Sequence, residues 1–247
     1  MNKNTGLTLI AIVALALIVF FSELLYVIFT GSKVPIPDIP RQKLVQGQGK
    51  ELSYVIMGDS TSISQGSEYS EGYAVASHRH LATSRRVTMI NTGVSGATVK
   101  SVLDEQLADA ISYSPDLVLL AVGANDATKF SPSSSIKNDL QEIIDGLKQS
   151  NPAVKIVVTR SPAMDSVSRF PFISKWVMNV RTRQVNEAFA EIIRKNDLTL
   201  APIAEKTRQA FIDDPTLTAS DKFHPNARGY ELWKPVINSS LDQALAG

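Results

Sequence analysis

The amino-acid sequence predicts a three-layer α/β/α sandwich with a five-stranded parallel, flavodoxin-like sheet, preceded by an N-terminal transmembrane helix. Three observations predict this fold. A long apolar segment opens the chain, apolar β-branched runs alternate with helix-like stretches after residue 51, and polar blocks follow several of those runs. Strands of a parallel sheet are buried on both faces, so they are apolar throughout instead of alternating. Their alternation with helices indicates right-handed crossovers around one sheet.

Composition and charge exclude several kinds of function. The chain of 247 residues is 44% hydrophobic and 20% charged, as in ordinary folded proteins. Its formal net charge is +1 and it has no Lys/Arg-rich run, so we expect no nucleic-acid partner. It has no cysteine, which excludes a disulfide and a thiolate nucleophile. His78 and His80 lie two positions apart on a predicted helix and face different directions, so we expect no metal and no other cofactor.

Residues 1–31 are predicted to be a membrane anchor, with a signal peptide as the alternative. Residues 7–30 are apolar with few exceptions, and about 20 helical residues cross the hydrocarbon core of a bilayer. No small-x-small cleavage site follows the apolar run, which favours an uncleaved signal anchor. Lysines and arginines lie on both sides of the segment, so their count does not decide the orientation. By analogy with other short N-terminal anchors, we expect the remaining chain outside the cytoplasm, in a bacterial cell envelope.

Residues 32–50 are predicted to be a linker, and residues 51–247 the α/β domain. Closely spaced prolines favour an extended chain near the start of the linker, and two glycines lie near its end. The predicted strands are residues 54–57, 87–90, 117–122, 154–158 and 198–200. The predicted helices are residues 71–84, 99–111, 133–149, 176–195 and 225–244.

Four polar blocks follow the ends of predicted strands, where ligands bind in open parallel sheets. Each block alone has an ordinary structural explanation, such as a turn, a glycine with positive φ, a helix cap or a structural histidine. Their joint placement indicates a functional site. The blocks are Gly58-Asp59-Ser60-Thr61, Asn91-Thr92-Gly93-Val94-Ser95-Gly96-Ala97-Thr98, Gly123-Ala124-Asn125-Asp126 and Asp221-Lys222-Phe223-His224-Pro225.

Together the four blocks resemble the SGNH hydrolase family, also known as GDSL-like lipases and esterases. By motif, Ser60 matches the nucleophile of the Gly-Asp-Ser block, Gly96 the glycine of the second block and Asn125 the asparagine of the third. Asp221 and His224 match the Asp-x-x-His block. The likeness covers essentially the whole predicted domain. It implies an ester hydrolase of the carboxylesterase or lipase type, with a Ser-His-Asp triad and an acyl-enzyme.

The implied chemistry needs these residue types. A serine hydroxyl is a poor nucleophile until a base takes its proton, and His224 is the natural base for Ser60. Asp221 lies three residues before His224, close enough to fix the tautomer of its imidazole. The attacked carbonyl develops negative charge, for which the N–H groups of Ser60 and Gly96 and the amide of Asn125 are the expected donors. Glycine in the second block leaves room for the backbone to approach the oxyanion.

Two other functions share these residues and stay open. The first is O-acyl transfer to a cell-envelope acceptor through the same acyl-enzyme, and the second is an anchored binding module without activity. A nucleotide-binding domain is disfavoured because no phosphate-binding glycine motif is present. A glycosidase is disfavoured because no pair of opposed carboxylates stands out. The expected partners are therefore a small or envelope-linked ester and the membrane.

Three further features have only local interpretations. Asp59 and Asp126 are interpreted as structural caps. Residues 160–176 are apolar and follow a predicted strand, so they form either a lid over an acyl site or packing for the helix near Trp176. The acyl chain length, the alcohol part of the substrate and the oligomeric state are not predicted.

Overall fold

The computed structural model describes residues 3–29, 33–40 and 42–246 of the chain. Within these residues, a six-stranded sheet has the strand order β1-β3-β2-β4-β5-β6. The strands are β1 (Leu44–Gln46), β2 (Glu51–Gly58), β3 (Arg86–Asn91), β4 (Leu117–Ala121), β5 (Lys155–Val158) and β6 (Thr199–Leu200).

Strands β2 to β6 are parallel, which confirms the five-stranded flavodoxin-like sheet predicted from the sequence. Both faces of the central strands are buried. In β2, Tyr54 and Ile56 pack into one core cluster, and Val55 and Met57 pack into another on the opposite face. The strand order reverses at β2, which has β3 on one side and β4 on the other. The loops that leave these strands therefore diverge and open a crevice at the carboxyl edge of the sheet.

Strand β1 is an addition that the sequence did not predict, and it makes the sheet mixed. It lies within residues 32–50 and pairs antiparallel with β3, with Leu44 opposite Met89. It has three residues, of which only Leu44 is partly buried, so its sequence hardly differs from that of a polar linker. Gly47 and Gly49 turn the chain into β2 with φ values of 83° and 104°, a region that glycine adopts without strain.

Helices cover both faces of the sheet and complete the three layers. They are α1 (Lys3–Phe29), α2 (Tyr73–Leu81), α3 (Val99–Glu105), α4 (Leu107–Ser112), α5 (Ala124–Thr128), α6 (Ser133–Ser150), α7 (Phe172–Asn196), α8 (Ile203–Asp213) and α9 (Ala227–Ala246). Helices α3, α4, α6 and α7 pack on one face, and α2, α8 and α9 pack on the other.

The predicted helices are present, with differences that have local causes. The predicted helix over residues 99–111 divides into α3 and α4 at Gln106, because the buried side chain of Gln106 pairs with the backbone of Gly58 at 2.8 and 2.9 Å. Helix α8 was not predicted, although Ile203, Thr207 and Phe211 are buried at a spacing of four residues, which is typical of a helix.

Helix α1 is long and apolar enough to cross a membrane. Its segment Thr5–Val27 has a mean hydropathy of 2.6. Most of its apolar side chains are exposed, as in Leu7 and Ile18 at 67% and 65%. Its C-terminal part contacts α7 of the domain. Length and composition of this kind are shared by membrane anchors and signal sequences.

Candidate active site

The first block forms a tight loop after β2 that presents Ser60. The N–H and the hydroxyl of Thr61 both donate to Asp59 Oδ1 at 2.9 Å, so Asp59 organises the loop. Burial raises the pKa of Asp59 to about 6, against these hydrogen bonds, which lower it. The carbonyl of Ser60 accepts from the N–H of Gln65 at 2.9 Å, which closes the turn. The Ser60 hydroxyl is thereby fixed at the carboxyl edge of the sheet.

Ser60, His224 and Asp221 form one hydrogen-bonded chain. Ser60 Oγ lies 2.9 Å from His224 Nε2, and His224 Nδ1 lies 2.5 Å from Asp221 Oδ2. The other oxygen of Asp221 accepts from the N–H groups of Phe223 and His224 at 2.9 and 3.0 Å. The structure therefore brings together these three predicted residues, although Ser60 and His224 are 164 positions apart along the chain.

The electrostatics of Asp221 set the tautomer of His224. Burial raises the pKa of Asp221. Hydrogen bonds from the His224 ring and from the N–H groups of Phe223 and His224, together with the electrostatic interaction with His224, outweigh burial and hold this pKa below its usual range. The ionised carboxylate of Asp221 accepts a hydrogen bond from the Nδ1–H of His224, so the ring proton lies on Nδ1. His224 Nε2 is then free to accept a hydrogen bond from the Ser60 hydroxyl, as a general base requires.

The second block contributes Gly96, whose backbone N–H is unpaired. Neither this N–H nor that of Ser60 donates a hydrogen bond to another residue in the described part of the chain. Gly96 has a φ of +81°, and a Cβ built there would meet no atom within 4 Å. The structure thus explains this glycine by its left-handed backbone, which L side chains rarely adopt, while the protein around it does not crowd the position.

The third block lies at the start of α5 and holds the second block in place. Asn125 Nδ2 donates to the carbonyl of Ala97 at 3.0 Å, and Lys129 Nζ donates to the carbonyl of Gly96 at 2.8 Å. Asp126 Oδ2 accepts from the N–H of Val99, the first residue of α3, at 3.1 Å. Burial raises the pKa of Asp126 to about 6. Lys129 carries no motif signal, so its contact with this loop was not predictable from the sequence.

The remaining histidines lie outside this site. His78 Nε2 lies 3.3 Å from the carbonyl of Val87, and His80 Nε2 pairs with Asp242 at 2.8 Å. The two rings thus have separate partners, one in β3 and the other in α9.

Two pockets adjoin the triad, and they differ in size. A narrow one of about 30 Å³ has Ser60 and His224 in its wall. A larger one of about 480 Å³ also reaches His224. Its apolar walls are contributed by Phe20, Val27, Phe130, Phe170, Met178 and Phe223. Phe20 and Val27 belong to α1, so the N-terminal helix lines a pocket of the candidate active site, which the sequence did not predict.

Residues 160–176 contribute both to the core and to the walls of the two pockets. Met164 and Phe170 are buried in the core, at 2% and 8% exposure, and each lines one of the two pockets. Helix α7 begins earlier than predicted, so Phe172 and Trp176 lie on its first turns, where they are 85% and 67% exposed.

Comparisons with known proteins identify a family model that covers most of the chain. The family model described as "GDSL-like Lipase/Acylhydrolase family" matches residues 56–232. No curated protein matches the chain.

Solved structures share the fold at low sequence identity. An α/β hydrolase from the metagenome of Lake Arreo is 19% identical with a TM-score of 0.64, over 77% of this chain and 95% of that one. The psychrotrophic esterase EstA from Pseudoalteromonas sp. is 20% identical with a TM-score of 0.61, over 79% and 99%. A lipase/acylhydrolase from Enterococcus faecalis is 20% identical with a TM-score of 0.59, over 78% and 96%.

Proposed function

Because the chain belongs to the GDSL-like lipase/acylhydrolase family, we propose that it cleaves carboxylic esters through an acyl-enzyme on Ser60. One observation carries the proposal. Ser60 Oγ lies 2.9 Å from His224 Nε2, and the other nitrogen of this ring is bonded to the buried carboxylate of Asp221. A hydroxyl, a base and a group that orients the base are the parts that nucleophilic catalysis by serine requires.

Acylation begins when His224 Nε2 takes the proton of Ser60 as Oγ bonds to the ester carbonyl carbon. The electron pair of the C=O bond moves to oxygen and gives a tetrahedral oxyanion. When the C=O bond re-forms, the bond to the alcohol oxygen breaks, and the alcohol leaves with the proton from His224. Water then gives a proton to His224 and its oxygen bonds to the acyl carbon. Ser60 leaves with that proton, and a carboxylic acid is released.

Three donors stabilise the oxyanion in this mechanism. They are the unpaired N–H groups of Ser60 and Gly96 and the Nδ2 hydrogen of Asn125 that does not bond to Ala97. Donors held in place before the reaction cost no reorganisation when charge develops on the carbonyl oxygen. The hydrogen bonds from Asn125 and Lys129 to the Gly96 loop support this arrangement, since they hold the loop before substrate binds.

A fluorophosphonate probe tests the nucleophile. Wild-type full-length protein should be labelled once and should hydrolyse p-nitrophenyl acetate, and Ser60→Ala should lose both properties. Ser67→Ala is the matched control, because the Ser67 hydroxyl lies on the same loop but is bonded to Glu71. Labelling that persists in Ser60→Ala would contradict the assignment. Transfer of the acyl group to an added alcohol faster than to water would favour the acyltransferase alternative.

The proposal includes membrane anchoring by α1, with the domain outside the cytoplasm of a bacterial cell. Its support is the apolar segment Thr5–Val27 with largely exposed side chains. Cell fractionation should recover the full-length chain with the membrane, and protease added outside the cytoplasmic membrane should digest the domain. A soluble mature protein that begins after about residue 25 would show a cleaved signal peptide instead.

A further inference from the structure

Helix α1 is docked on the domain through a buried carboxylate. Glu23 is 6% exposed although it belongs to an apolar helix. Its carboxylate accepts from the N–H groups of Ile173 and Ser174 at 3.1 and 2.8 Å, and from the Ser174 hydroxyl at 2.9 Å. These N–H groups belong to the first turn of α7 and have no partner within that helix. Glu23 therefore caps α7 from another helix, with its negative charge at the positive end of the α7 dipole.

The same end of α1 also contacts the loop that carries His224. Lys222 Nζ lies 3.0 Å from the hydroxyl of Tyr26. The Arg169 guanidinium donates to the carbonyl of Val27 at 3.0 Å, and the Arg169 N–H donates to the carbonyl of Lys222. Residues 23–27 of α1 are thus joined both to α7 and to the segment between Asp221 and His224.

The larger pocket lies between these elements and is mainly apolar. Its volume of about 480 Å³ is within the range of small-molecule sites. Phe20 and Val27 of α1 face Phe170, Met178 and other apolar residues of the domain across it, and it reaches His224. Its charged residues, Glu23 and Arg169, already bond to α7 and to α1. An acetyl group would leave most of this pocket empty, whereas a long acyl chain has the apolar surface to fill it.

The length of α1 before the pocket matches the thickness of a bilayer. From Lys3 to Phe20, at about 1.5 Å per residue, α1 is about 27 Å long, close to the roughly 30 Å of a hydrocarbon core. An α1 that spans the bilayer from Lys3 would place Phe20, a wall of the pocket, near the hydrocarbon boundary. The exposed aromatic residues of the described domain lie beside it. Phe130 lines the pocket, and Phe172 and Trp176 flank the turn that Glu23 caps. Aromatic residues are enriched at this depth of a membrane.

We propose that α1 forms one wall of an acyl-chain pocket, through which the enzyme takes a long-chain ester lipid from the bilayer that anchors it. The acyl chain of the lipid enters past Phe20 and lies between α1 and α7, which places the ester carbonyl beside His224 and Ser60. This inference rests on the proposed ester hydrolysis. It makes α1 a determinant of acyl chain length as well as an anchor.

The test uses full-length protein reconstituted in vesicles of phosphatidylcholine and phosphatidylglycerol. The readout is the ratio of kcat/KM for p-nitrophenyl palmitate to that for p-nitrophenyl acetate. Val27→Trp adds an indole ring to the α1 wall and narrows the pocket, so it should lower this ratio at least about tenfold, the scale of discrimination by an apolar pocket. Val13→Trp is the matched control, because Val13 lies on the same helix, is 52% exposed and does not line the pocket. It should keep the wild-type ratio.

The outcomes separate this inference from the proposed function. Fluorophosphonate labelling of Val27→Trp should persist, which shows that its triad is assembled. A wild-type ratio below one, an unchanged ratio in Val27→Trp, or an equal fall in Val13→Trp would overturn the acyl-chain pocket alone. A wild-type protein that hydrolyses neither ester would overturn the proposed hydrolase activity and this inference with it.

Discussion

The side-chain amide of Asn125 donates to the carbonyl of Ala97 at 3.0 Å, so α5 holds the loop that presents Gly96. One hydrogen of Nδ2 makes this bond, and the second is available to a substrate oxygen. Lys129, immediately after α5, holds the same loop through the carbonyl of Gly96. Both residues hold the loop, but only Asn125 is proposed to donate to the oxyanion. Comparing variants of the two therefore distinguishes these roles.

Asn125→Ala is expected to lower kcat by about 10²–10³-fold with little change in KM, because the lost donor acts mainly in the transition state. Steady-state kinetics on p-nitrophenyl acetate measure kcat and KM, and a thermal melt checks that the variant is as stable as the wild type. Lys129→Met removes the other tie and should lower kcat by less than about tenfold. If Lys129→Met is as slow as Asn125→Ala, the position of the loop accounts for both effects.

Gly96→Ala should fold and should lower kcat about tenfold or more. A left-handed φ of +81° costs an alanine about 1 kcal/mol, and relief of that strain turns the N–H away from the oxyanion. Gly47→Ala is the control, since φ there is +83° and its Cβ would collide with the carbonyl of Arg85, far from the triad. It should melt at a lower temperature than Gly96→Ala but keep the wild-type kcat. A wild-type kcat in Gly96→Ala would remove this N–H from the mechanism.

Asp126 should make the protein more stable at mildly acidic pH than at neutral pH. Burial raises its pKa to about 6 from 3.8, so the folded state binds this proton more tightly than the unfolded chain. The resulting stabilisation is complete below about pH 4 and is lost as pH rises through about 6. Because of Asp126, the free energy of unfolding should therefore be about 1 kcal/mol lower at about pH 7.5 than at about pH 5.

Asp126→Asn tests this by removing the titration while keeping an oxygen to accept from the N–H of Val99. Denaturant unfolding at the two pH values should show a smaller difference than in the wild type. Asp109→Asn, at an exposed position of α4, should retain the wild-type difference. An unchanged pH dependence in Asp126→Asn would mean that this carboxyl is ionised in the folded protein throughout that range.

Glu23→Ala should loosen α1 from α7. Hydrogen bonds to a charged group contribute about 1.5–3 kcal/mol, so the first turn of α7 should open at least about tenfold more often. Limited trypsin digestion of the full-length protein in vesicles, followed by mass spectrometry, would detect faster cleavage after Arg169 and Lys175. The control is Glu51→Ala, whose side chain is 85% exposed, and it should be cleaved at the wild-type rate. Equal cleavage of both variants would show that Glu23 does not hold the helices together.

Much of the candidate site was predictable from the sequence, partly because of a general property of parallel sheets. Ser60 and Asn125 follow strands whose carboxyl ends meet at one edge, so their placement at that edge needs no knowledge of side-chain packing. The Asp221–His224 pair was predicted from its resemblance to the Asp-x-x-His block, with a spacing that allows the two side chains to meet. The structure brings Ser60, Asp221 and His224 into one hydrogen-bonded chain.

The role of α1 was not predictable in the same way. Glu23 stands out as an acidic residue in an apolar run, but its partner Ser174 lies 151 positions away, and no local pattern joins them. Strand β1 was missed for a different reason, since a three-residue edge strand has too few apolar positions to differ from a linker.

Strand β1 determines where the chain between α1 and the domain can be cut without exposing the sheet. A protease that cuts within residues 33–40 would leave Leu44–Gln46 paired with β3, and the shed domain would keep that edge closed. A cut after Gln46 would separate β1 from the domain and bare the backbone N–H and C=O groups of β3, which then invite self-association with other released copies. The position of the cut relative to β1 thus decides whether the released domain stays free to diffuse or aggregates through the open edge of β3.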